Sequence, residues 1–236
     1  NWCDGATATS GQINNSNSIT GTITNDNAGS LVVPLSNGHY VIASSQADIN
    51  SITDAGAVTW CNGFSATTGI VSAANSFIGT TASDGVGASI FPIPGGNYLI
   101  ISTLWDGINS FGAFTANLSA ITMCAGNGIT TGTVTPCNSV KGNSSYSLST
   151  GRIVIAFNNI YQYPIISDIY DNTTTIFYST EPSLSNHQEQ ATKNVTAGSS
   201  VSFINNSCRI SSTLVSSGSS PASGSITSYT WIEPAV

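Results

Sequence analysis

The sequence predicts an all-β protein assembled from a repeated unit of about 58 residues. No window shows a sustained helical spacing of apolar residues, and short β-branched and aromatic runs alternate with turn sequences. Each period holds four strand-like segments, which is the number of strands in a β-propeller blade. We therefore predict a β-propeller-like repeat array, with a β-solenoid as the alternative.

The repeat is marked by an eleven-residue pattern that opens on Gly and closes on Asn-Ser-apolar-x-Gly, at residues 11–21, 69–79 and 132–142. Trp2-Cys3 and Trp60-Cys61 precede the first two copies and lie 58 residues apart. One four-stranded sheet cannot bury both of its faces, so neighbouring copies are expected to cover each other. With a looser copy at 152–167, the predicted repeat domain spans residues 1–184.

Within one period the predicted strands are residues 31–35, 39–44, 56–61 and 70–78. Turn signals lie between them, at 36–38 and 61–63. The Gly that closes each pattern is expected to adopt backbone angles forbidden to other residues, and the Asn to turn the chain through its side chain. These residues are Gly21, Gly79 and Gly142, and Asn17, Asn75 and Asn138.

Residues 185–236 contain no copy of the pattern and are predicted to form a separate β-rich, sandwich-like region. Three strands are expected there, at 200–205, 208–215 and 225–233. We expect this region to be incomplete, and the chain to be a segment of a longer protein or a unit completed by a neighbouring chain.

The composition excludes some functions and favours a location. Charged residues make up only 6% of the chain, and the net charge is −7, so no basic surface exists to bind nucleic acid. Ser, Thr, Asn and Gly supply the polarity instead, which is typical of secreted β-rich proteins displayed on the cell surface. No apolar run approaches the roughly 20 residues that span a bilayer, so we expect no direct membrane insertion.

Several segments resemble a bacterial surface repeat, namely "LSNGHYVIAS", "DAGAVTWCNG", "GIVSAANSFIG" and "DGVG" between residues 35 and 87. The order of these segments along the chain is similar to that in the FG-GAP blade of integrin-type β-propellers. Residues 84–87 lie at the position of the stretch that gives the blade its name. The calcium loop of that family is missing, because residues 93–98 read "IPGGNY". The resemblance implies propeller blades without that metal site.

The tail "CRISSTLVSSGSSPASGSITSYTWIEP" resembles a segment near the end of large surface adhesins exported by the type IX secretion pathway. The resemblance implies display at the cell surface.

Residue types suited to catalysis or metal binding are scarce. Only His39 and His187 are present, and no Cys-x-x-Cys or Gly-x-Ser-x-Gly pattern exists, so we predict no catalytic residue, metal or cofactor. His39 aligns with Asn97 in a repeat turn and is expected to be exposed. Equivalent carboxylates recur in each copy, at Asp48, Asp106 and Asp171, and are best explained as turn residues.

Aromatic residues beside these carboxylates are the candidate ligand site. Trp105, Asp106 and Tyr170 could form a stacking platform for a sugar, as carbohydrate recognition uses aromatic rings next to carboxylates. Packing of these rings in the core is the alternative, because most large aromatic side chains are buried.

The five cysteines leave at least one unpaired within the chain. We predict a disulfide between Cys124 and Cys137, because only the third copy has a second Cys. Buried free thiols are the alternative interpretation, especially for Cys3 and Cys61.

These observations predict a non-enzymatic extracellular protein, a segment of a bacterial surface adhesin or filament. The alternative is a secreted carbohydrate-binding or carbohydrate-active propeller protein. Expected partners are further copies of the chain, other surface proteins or glycans. Residues 1–20 are expected either to close a ring or to mediate self-association, since an incomplete repeat exposes unpaired backbone.

Overall fold

A computed structural model describes residues 3, 10–109, 111–134, 138–142 and 144–148, together with the backbone of seven later strands. The described part is made of strands and turns, with a single 3₁₀ turn at Pro94–Gly96. This confirms the all-β prediction. Within the same residues, no helix has the length and hydropathy needed to cross a membrane.

The first repeat forms a sheet whose strands are antiparallel neighbours in the order β6-β4-β3-β2. These strands are β2 (Leu31–Pro34), β3 (Tyr40–Ser44), β4 (Ala57–Cys61) and β6 (Ser76–Ile78). The second repeat forms the corresponding sheet, ordered β13-β11-β8-β7. Its strands are β7 (Ser89–Pro92), β8 (Tyr98–Ser102), β11 (Ala120–Cys124) and β13 (Ser139–Lys141).

The two sheets share the same register. Tyr40 lies opposite Cys61 in the first sheet, and Tyr98 lies opposite Cys124 in the second. Each repeat contributes four strands to its own sheet, and the repeated architecture is therefore confirmed. Strands β4 and β8 are buried along their whole length, because both of their faces are covered.

The predicted fourth strand, 70–78, is wrong in one respect: it is two strands, β5 (Gly69–Ile70) and β6. Asn75 turns the chain between them, because its side-chain oxygen accepts the N–H of Ser72 at 2.9 Å. The predicted turn role of the repeated Asn is confirmed here and at Asn17, whose side-chain oxygen accepts the N–H of Asn14 at 2.9 Å.

The short strand between β4 and β6 links successive repeats. Strand β5 pairs in parallel with β1 (Ile19–Thr20), which is the copy of β6 from the preceding unit. Strand β12 (Gly132–Thr133) pairs in the same way with β6. We call β1, β6 and β13, the last strands of their units, the outer strands. We call residues 69–71 and 132–134 the clasp segments, because each pairs with the outer strand of the preceding unit.

The glycines at the two ends of the repeated pattern have different roles. Gly69 and Gly132, which open it, have φ of 121° and 118°, angles that favour glycine. Gly79, which closes it, was predicted to need such angles, and this is wrong. Its φ is ordinary, and a Cβ there would lie 2.1 Å from the carbonyl oxygen of Ala55. Glycine is likewise required at Gly21 and Gly142, because Asp26 approaches the first and Ser147 approaches the second too closely for a Cβ.

One hydrophobic cluster contains residues of both sheets, including Val41 and Phe77 of the first and Tyr98 and Ile100 of the second. Mutual burial of neighbouring repeats therefore supplies the core, as expected for units that cannot bury both faces alone. Residues 1–134 and 141–148 form one compact unit, and residues 135–140 and 149–236 form the other.

The later strands form a five-stranded sheet in the order β14-β15-β16-β18-β19 and the antiparallel pair β17-β20. Their bounds are Ile153–Phe157, Pro164–Asp168, Thr173–Phe177, Lys193–Asn194, Ser200–Ile204, Arg209–Thr213 and Ser223–Gly224. Two of the three strands predicted for the tail are confirmed as β18 and β19, whereas residues 225–233 lie outside the described residues. The predicted boundary at 184–185 also lies outside them, and strands from both sides of it belong to one sheet.

Candidate functional site

A buried carboxylate organises the turn after β1 and the turn after β6. Asp84 is 1% exposed, and its Oδ2 accepts the backbone N–H groups of Thr80 at 2.7 Å and Thr81 at 2.9 Å. Asp26, which is 58 residues earlier, accepts the corresponding groups of Thr22 and Ile23. The paired N–H groups replace the water that each carboxylate loses on burial.

The same carboxylates hold a second repeated Asp. Oδ1 of Asp84 accepts the N–H of Asp106 at 3.0 Å, and Oδ1 of Asp26 accepts the N–H of Asp48 at 3.1 Å. In both repeats the two residues are 22 positions apart. These bonds tie the turn after the outer strand to the connection between the second and third strands of the next sheet.

Asp106 in turn accepts the N–H of Asn117 at 2.7 Å, as Asp48 accepts the N–H of Asp54 at 2.9 Å. The sequence-based interpretation of Asp48 and Asp106 as turn residues is consistent with these bonds. Asp171 lies outside the described residues.

The pKa of Asp26 is lower than its ordinary value of 3.8. Burial alone would raise the pKa, but the N–H groups of Ile23, Asp48 and Thr22, together with the Thr22 hydroxyl, stabilise the ionised form. The ionised carboxylate is therefore a structural element of this turn.

Trp105, the predicted sugar platform, is only 7% exposed and belongs to the hydrophobic core. Gly107 leaves room for its ring, since a Cβ there would lie 2.1 Å from the ring edge. The structure thus brings Trp105 and Asp106 next to each other without placing the ring at the surface. Tyr170, the third predicted site residue, lies outside the described residues.

The exposed aromatic rings lie a few residues further along, on a hairpin that the sequence analysis missed. Strands β9 (Gly107–Ile108) and β10 (Phe114–Thr115) form it. Phe111 is 86% exposed, Phe114 63% and Ile108 48%. We call these three residues the hairpin patch.

Asn109 fixes the tip of this hairpin. Its side-chain oxygen accepts the N–H groups of Phe111 and Ala113, each at 3.0 Å, and its backbone N–H bonds to the Ala113 carbonyl at 2.9 Å. The hairpin is an insertion, because 11 positions separate Asp106 from Asn117 where six separate Asp48 from Asp54. That difference in length is the signal from which the hairpin could have been found.

His39 is half-buried, so its predicted exposure is wrong. Its ring packs against Trp60 with centroids 4.7 Å apart and against Phe64 with centroids 5.3 Å apart. Its Nδ1 accepts the N–H of Gly63 at 3.2 Å, and Asn97 does the same for Gly126 at 3.1 Å. His39 therefore fills the structural role of Asn97 in the other repeat.

The thiols of Cys61 and Cys124 are buried, and neither forms a disulfide with another cysteine that the structure describes. Burial raises the pKa of Cys61 to about 11, although hydrogen bonds to Tyr40 and Thr67 oppose it. Burial likewise raises the pKa of Cys124 to about 12, with a bond to Tyr98 opposing it. Cys137 lies outside the described residues, so its bridge to Cys124 stays a prediction.

No group of three or more His, Cys, Asp or Glu side chains suited to a metal ion occurs among the residues that the structure describes. The neighbouring residues Asp84 and Asp106 both accept backbone N–H groups.

A known family model matches this chain at residues 1–30, 34–88 and 92–149, which together cover more than half of it. Its description is "Repeat of unknown function (DUF5650)". The chain belongs to this family.

The second and third matched segments begin at Pro34 and Pro92, which are 58 residues apart at equivalent places in β2 and β7. The DUF5650 repeat and the structural repeat therefore share one period. The match ends at residue 149, before the looser copy predicted at 152–167. A search of curated proteins found no match.

Proposed function

We propose that this DUF5650 chain is a non-enzymatic structural and adhesive segment of a bacterial cell-surface protein or filament. One observation carries the proposal. The repeated carboxylates, which would be the candidates for general acid–base catalysis, accept backbone N–H groups of their own turns and of the neighbouring connection. Asp106 Oδ1 lies 2.7 Å from the N–H of Asn117, so this oxygen is committed to the fold.

The linkage between repeats also supports a structural role. Each clasp segment belongs to one repeat and pairs with the outer strand of the previous one. Pulling two repeats apart must break these backbone hydrogen bonds together with the shared core. The low charge and the resemblance of the tail to type IX secretion adhesins support an extracellular location.

We propose a propeller-like arrangement of FG-GAP type for these sheets. The first strands of the two sheets, β2 and β7, contact each other, as inner strands do around a propeller axis. The clasp segments join at the opposite edge of the sheet. A low-resolution solution scattering profile would distinguish this arrangement from an extended solenoid, which has a larger radius of gyration at equal mass.

The adhesive proposal is tested by binding and turnover together. We expect the purified chain to bind bacterial or host surfaces and to hydrolyse none of a panel of polysaccharides. Turnover of any polysaccharide that is abolished by Asp106→Asn would overturn the non-enzymatic assignment. Asp48→Asn is the matched control, since Asp48 makes the same type of bond in the repeat without the hairpin.

Carbohydrate binding is a second candidate function, and the hairpin patch favours it. Phe111 and Phe114 offer exposed rings on a tip held by Asn109. The Lys141 ammonium donates a hydrogen bond to the Ile108 carbonyl of the same hairpin at 2.9 Å. Rings held in this way can stack on the apolar face of a sugar at little entropic cost. A glycan array should then lose its signal with Phe111→Ser and keep it with Phe64→Ser, a ring 72% exposed elsewhere on the chain.

A further inference from the structure

Three Asn-Gly pairs occur in the sequence, at 37–38, 62–63 and 127–128. Asparagine is a thermolabile residue. In such a pair the backbone nitrogen of the glycine can attack the side-chain carbonyl carbon of the asparagine, because glycine has no Cβ to hinder the approach. The three pairs are chemically alike, so any difference in their reactivity comes from the fold.

The glycine nitrogens of the first two pairs are engaged. The N–H of Gly38 bonds to the Leu35 carbonyl at 3.1 Å, and the N–H of Gly63 bonds to Nδ1 of His39 at 3.2 Å. The nitrogen must give up its proton to attack, and a bonded N–H reacts only after the segment has opened locally. Both nitrogens are therefore protected in the folded chain.

The asparagine side chains of these two pairs are held as well. Oδ1 of Asn37 accepts the N–H of His39 at 3.2 Å, and its Nδ2 donates to the Gly126 carbonyl at 2.7 Å. Oδ1 of Asn62 accepts the N–H of Phe64 at 2.9 Å. Rotation of either side chain toward its glycine nitrogen would break these bonds and therefore costs free energy.

The third pair lies in the connection between β11 and β12, where Asn127 is exposed and Gly128 is half-buried. Among the residues that the structure describes, none accepts the Gly128 N–H or bonds to the Asn127 side chain. A Cβ on Gly128 would meet nothing within 4 Å, so this backbone has room to move. The nitrogen and the amide of this pair can therefore meet without breaking a hydrogen bond.

We propose that Asn127 is a site of spontaneous deamidation in the folded protein. The Gly128 nitrogen forms a bond to Cγ of Asn127, the bond from Cγ to Nδ2 breaks, and the NH₂ group leaves as ammonia with the proton of the Gly128 N–H. Water then opens the five-membered imide at either of its two carbonyls. The products are aspartate and isoaspartate, and no oxidant or reductant is needed.

The modified residue is next to a contact between the two repeats. The Gly126 carbonyl accepts Nε1 of Trp60 at 2.9 Å and Nδ2 of Asn37 at 2.7 Å. Its N–H bonds to Oδ1 of Asn97 at 3.1 Å. Because Trp60 lies on β4 of the first sheet and Gly126 follows β11 of the second, these bonds join the repeats.

Gly126 has no space in which to shift. A Cβ there would lie 1.6 Å from the carbonyl oxygen of Gly96. Isoaspartate at position 127 lengthens the main chain by one methylene group directly after this glycine. Deamidation to isoaspartate therefore displaces Gly126 and weakens the contact between the repeats as the protein ages.

The first experiment compares the three pairs within one molecule. The full chain is incubated at mildly alkaline pH, and peptide mass mapping follows the replacement of NH₂ by OH at each asparagine. In the folded protein we expect Asn127 to react at least about tenfold faster than Asn37 and Asn62. In concentrated urea the three rates should become similar, because the protecting bonds are lost.

Equal rates of the three pairs in the folded protein would overturn the inference. It would also fail if Asn127 stayed intact in the folded protein for as long as Asn37 and Asn62 do.

A substitution of the attacking residue tests the route. Gly128→Ala should slow the reaction at Asn127 about tenfold or more, since the added Cβ hinders the nitrogen while the fold has room for it. Ile129→Ala is the matched control, because this exposed residue follows the pair and its loss leaves Asn-Gly intact. Loss of ammonia from Asn127 at an unchanged rate in Gly128→Ala would exclude attack by this nitrogen.

The last experiment tests the consequence for the fold. Aged protein is separated by ion exchange, and the isoaspartate form is unfolded in urea beside fresh protein. We expect a lower midpoint for the isoaspartate form, whereas Asn127→Asp, which adds the charge without the methylene, should keep the midpoint of the fresh protein. An isoaspartate form as stable as fresh protein would overturn the predicted weakening between repeats.

Discussion

The carboxylate of Asp84 accepts the backbone N–H of Asp106 at 3.0 Å and thereby fixes the residue that looked most like a functional acid. Asp26 and Asp48 form the same pair in the preceding copy, with the same separation of 22 positions. The repeat thus uses one Asp to position another, and both serve turns.

Substituting Asp84 should destabilise the fold strongly. Asp84→Asn replaces one acceptor oxygen by an NH₂ group that faces N–H donors, so the donors bound to that oxygen lose their acceptor. We expect a loss of about 2 kcal/mol in the free energy of unfolding, measured by urea denaturation. Asp54→Asn is the control, because Asp54 has a φ of 51° that Asn tolerates, and its change should stay within about 0.5 kcal/mol. Equal effects of the two substitutions would contradict the carboxylate's role.

Acid should weaken the fold through Asp26. Its folded-state pKa is below 3.8, so its contribution to stability is present above about pH 4 and is lost as the pH falls through the folded pKa. We expect Asp26→Asn to flatten the dependence of the free energy of unfolding on pH below 4, measured at several pH values. An unchanged pH dependence in this variant would show that Asp26 does not contribute to it.

Two glycines should be intolerant of any side chain. A Cβ at Gly63 would lie 1.7 Å from the carbonyl oxygen of Gly38, and a Cβ at Gly126 would lie 1.6 Å from that of Gly96. We expect Gly63→Ala and Gly126→Ala each to cost about 3 kcal/mol or more, read from thermal unfolding. Gly128→Ala, where a Cβ meets nothing within 4 Å, should be nearly neutral. A normal melting temperature for Gly126→Ala would show that the backbones of Gly126 and Gly96 do not approach each other this closely.

The cysteines should differ sharply in reactivity. Cys3 is exposed, whereas the buried thiols of Cys61 and Cys124 have pKa values raised to about 11 and about 12. At pH 8 we expect iodoacetamide to label Cys3 in the native protein and to reach Cys61 only after unfolding, as followed by peptide mass mapping. Labelling of native Cys61 at the rate of Cys3 would contradict its burial.

The same mapping without reductant tests the predicted disulfide. A bridge between Cys124 and Cys137 would leave both unlabelled even in the unfolded chain. Labelling of both residues after unfolding would exclude the bridge.

Local chemistry made much of the repeat predictable from sequence. The period of 58 and the three strands 31–35, 39–44 and 56–61 follow from apolar runs separated by turn residues. The turn role of Asn75 was also predictable, because an Asn side chain bonds to backbone a few residues away. These features depend on neighbours in the chain, which a sequence displays directly.

Contacts between distant residues decided the rest. Gly79 looked like a residue chosen for its backbone angles, but the limit on its size comes from Ala55, which lies 24 positions away and approaches through a neighbouring segment. Trp105 looked like a surface ring next to an acid, yet it is buried, while Phe111 six residues later is 86% exposed. The sequence by itself determined the repeat, its strands and its turns, because these depend on short-range patterns. Only the tertiary structure decided which aromatic rings and acids face solvent, because burial depends on what the rest of the chain packs against each of them.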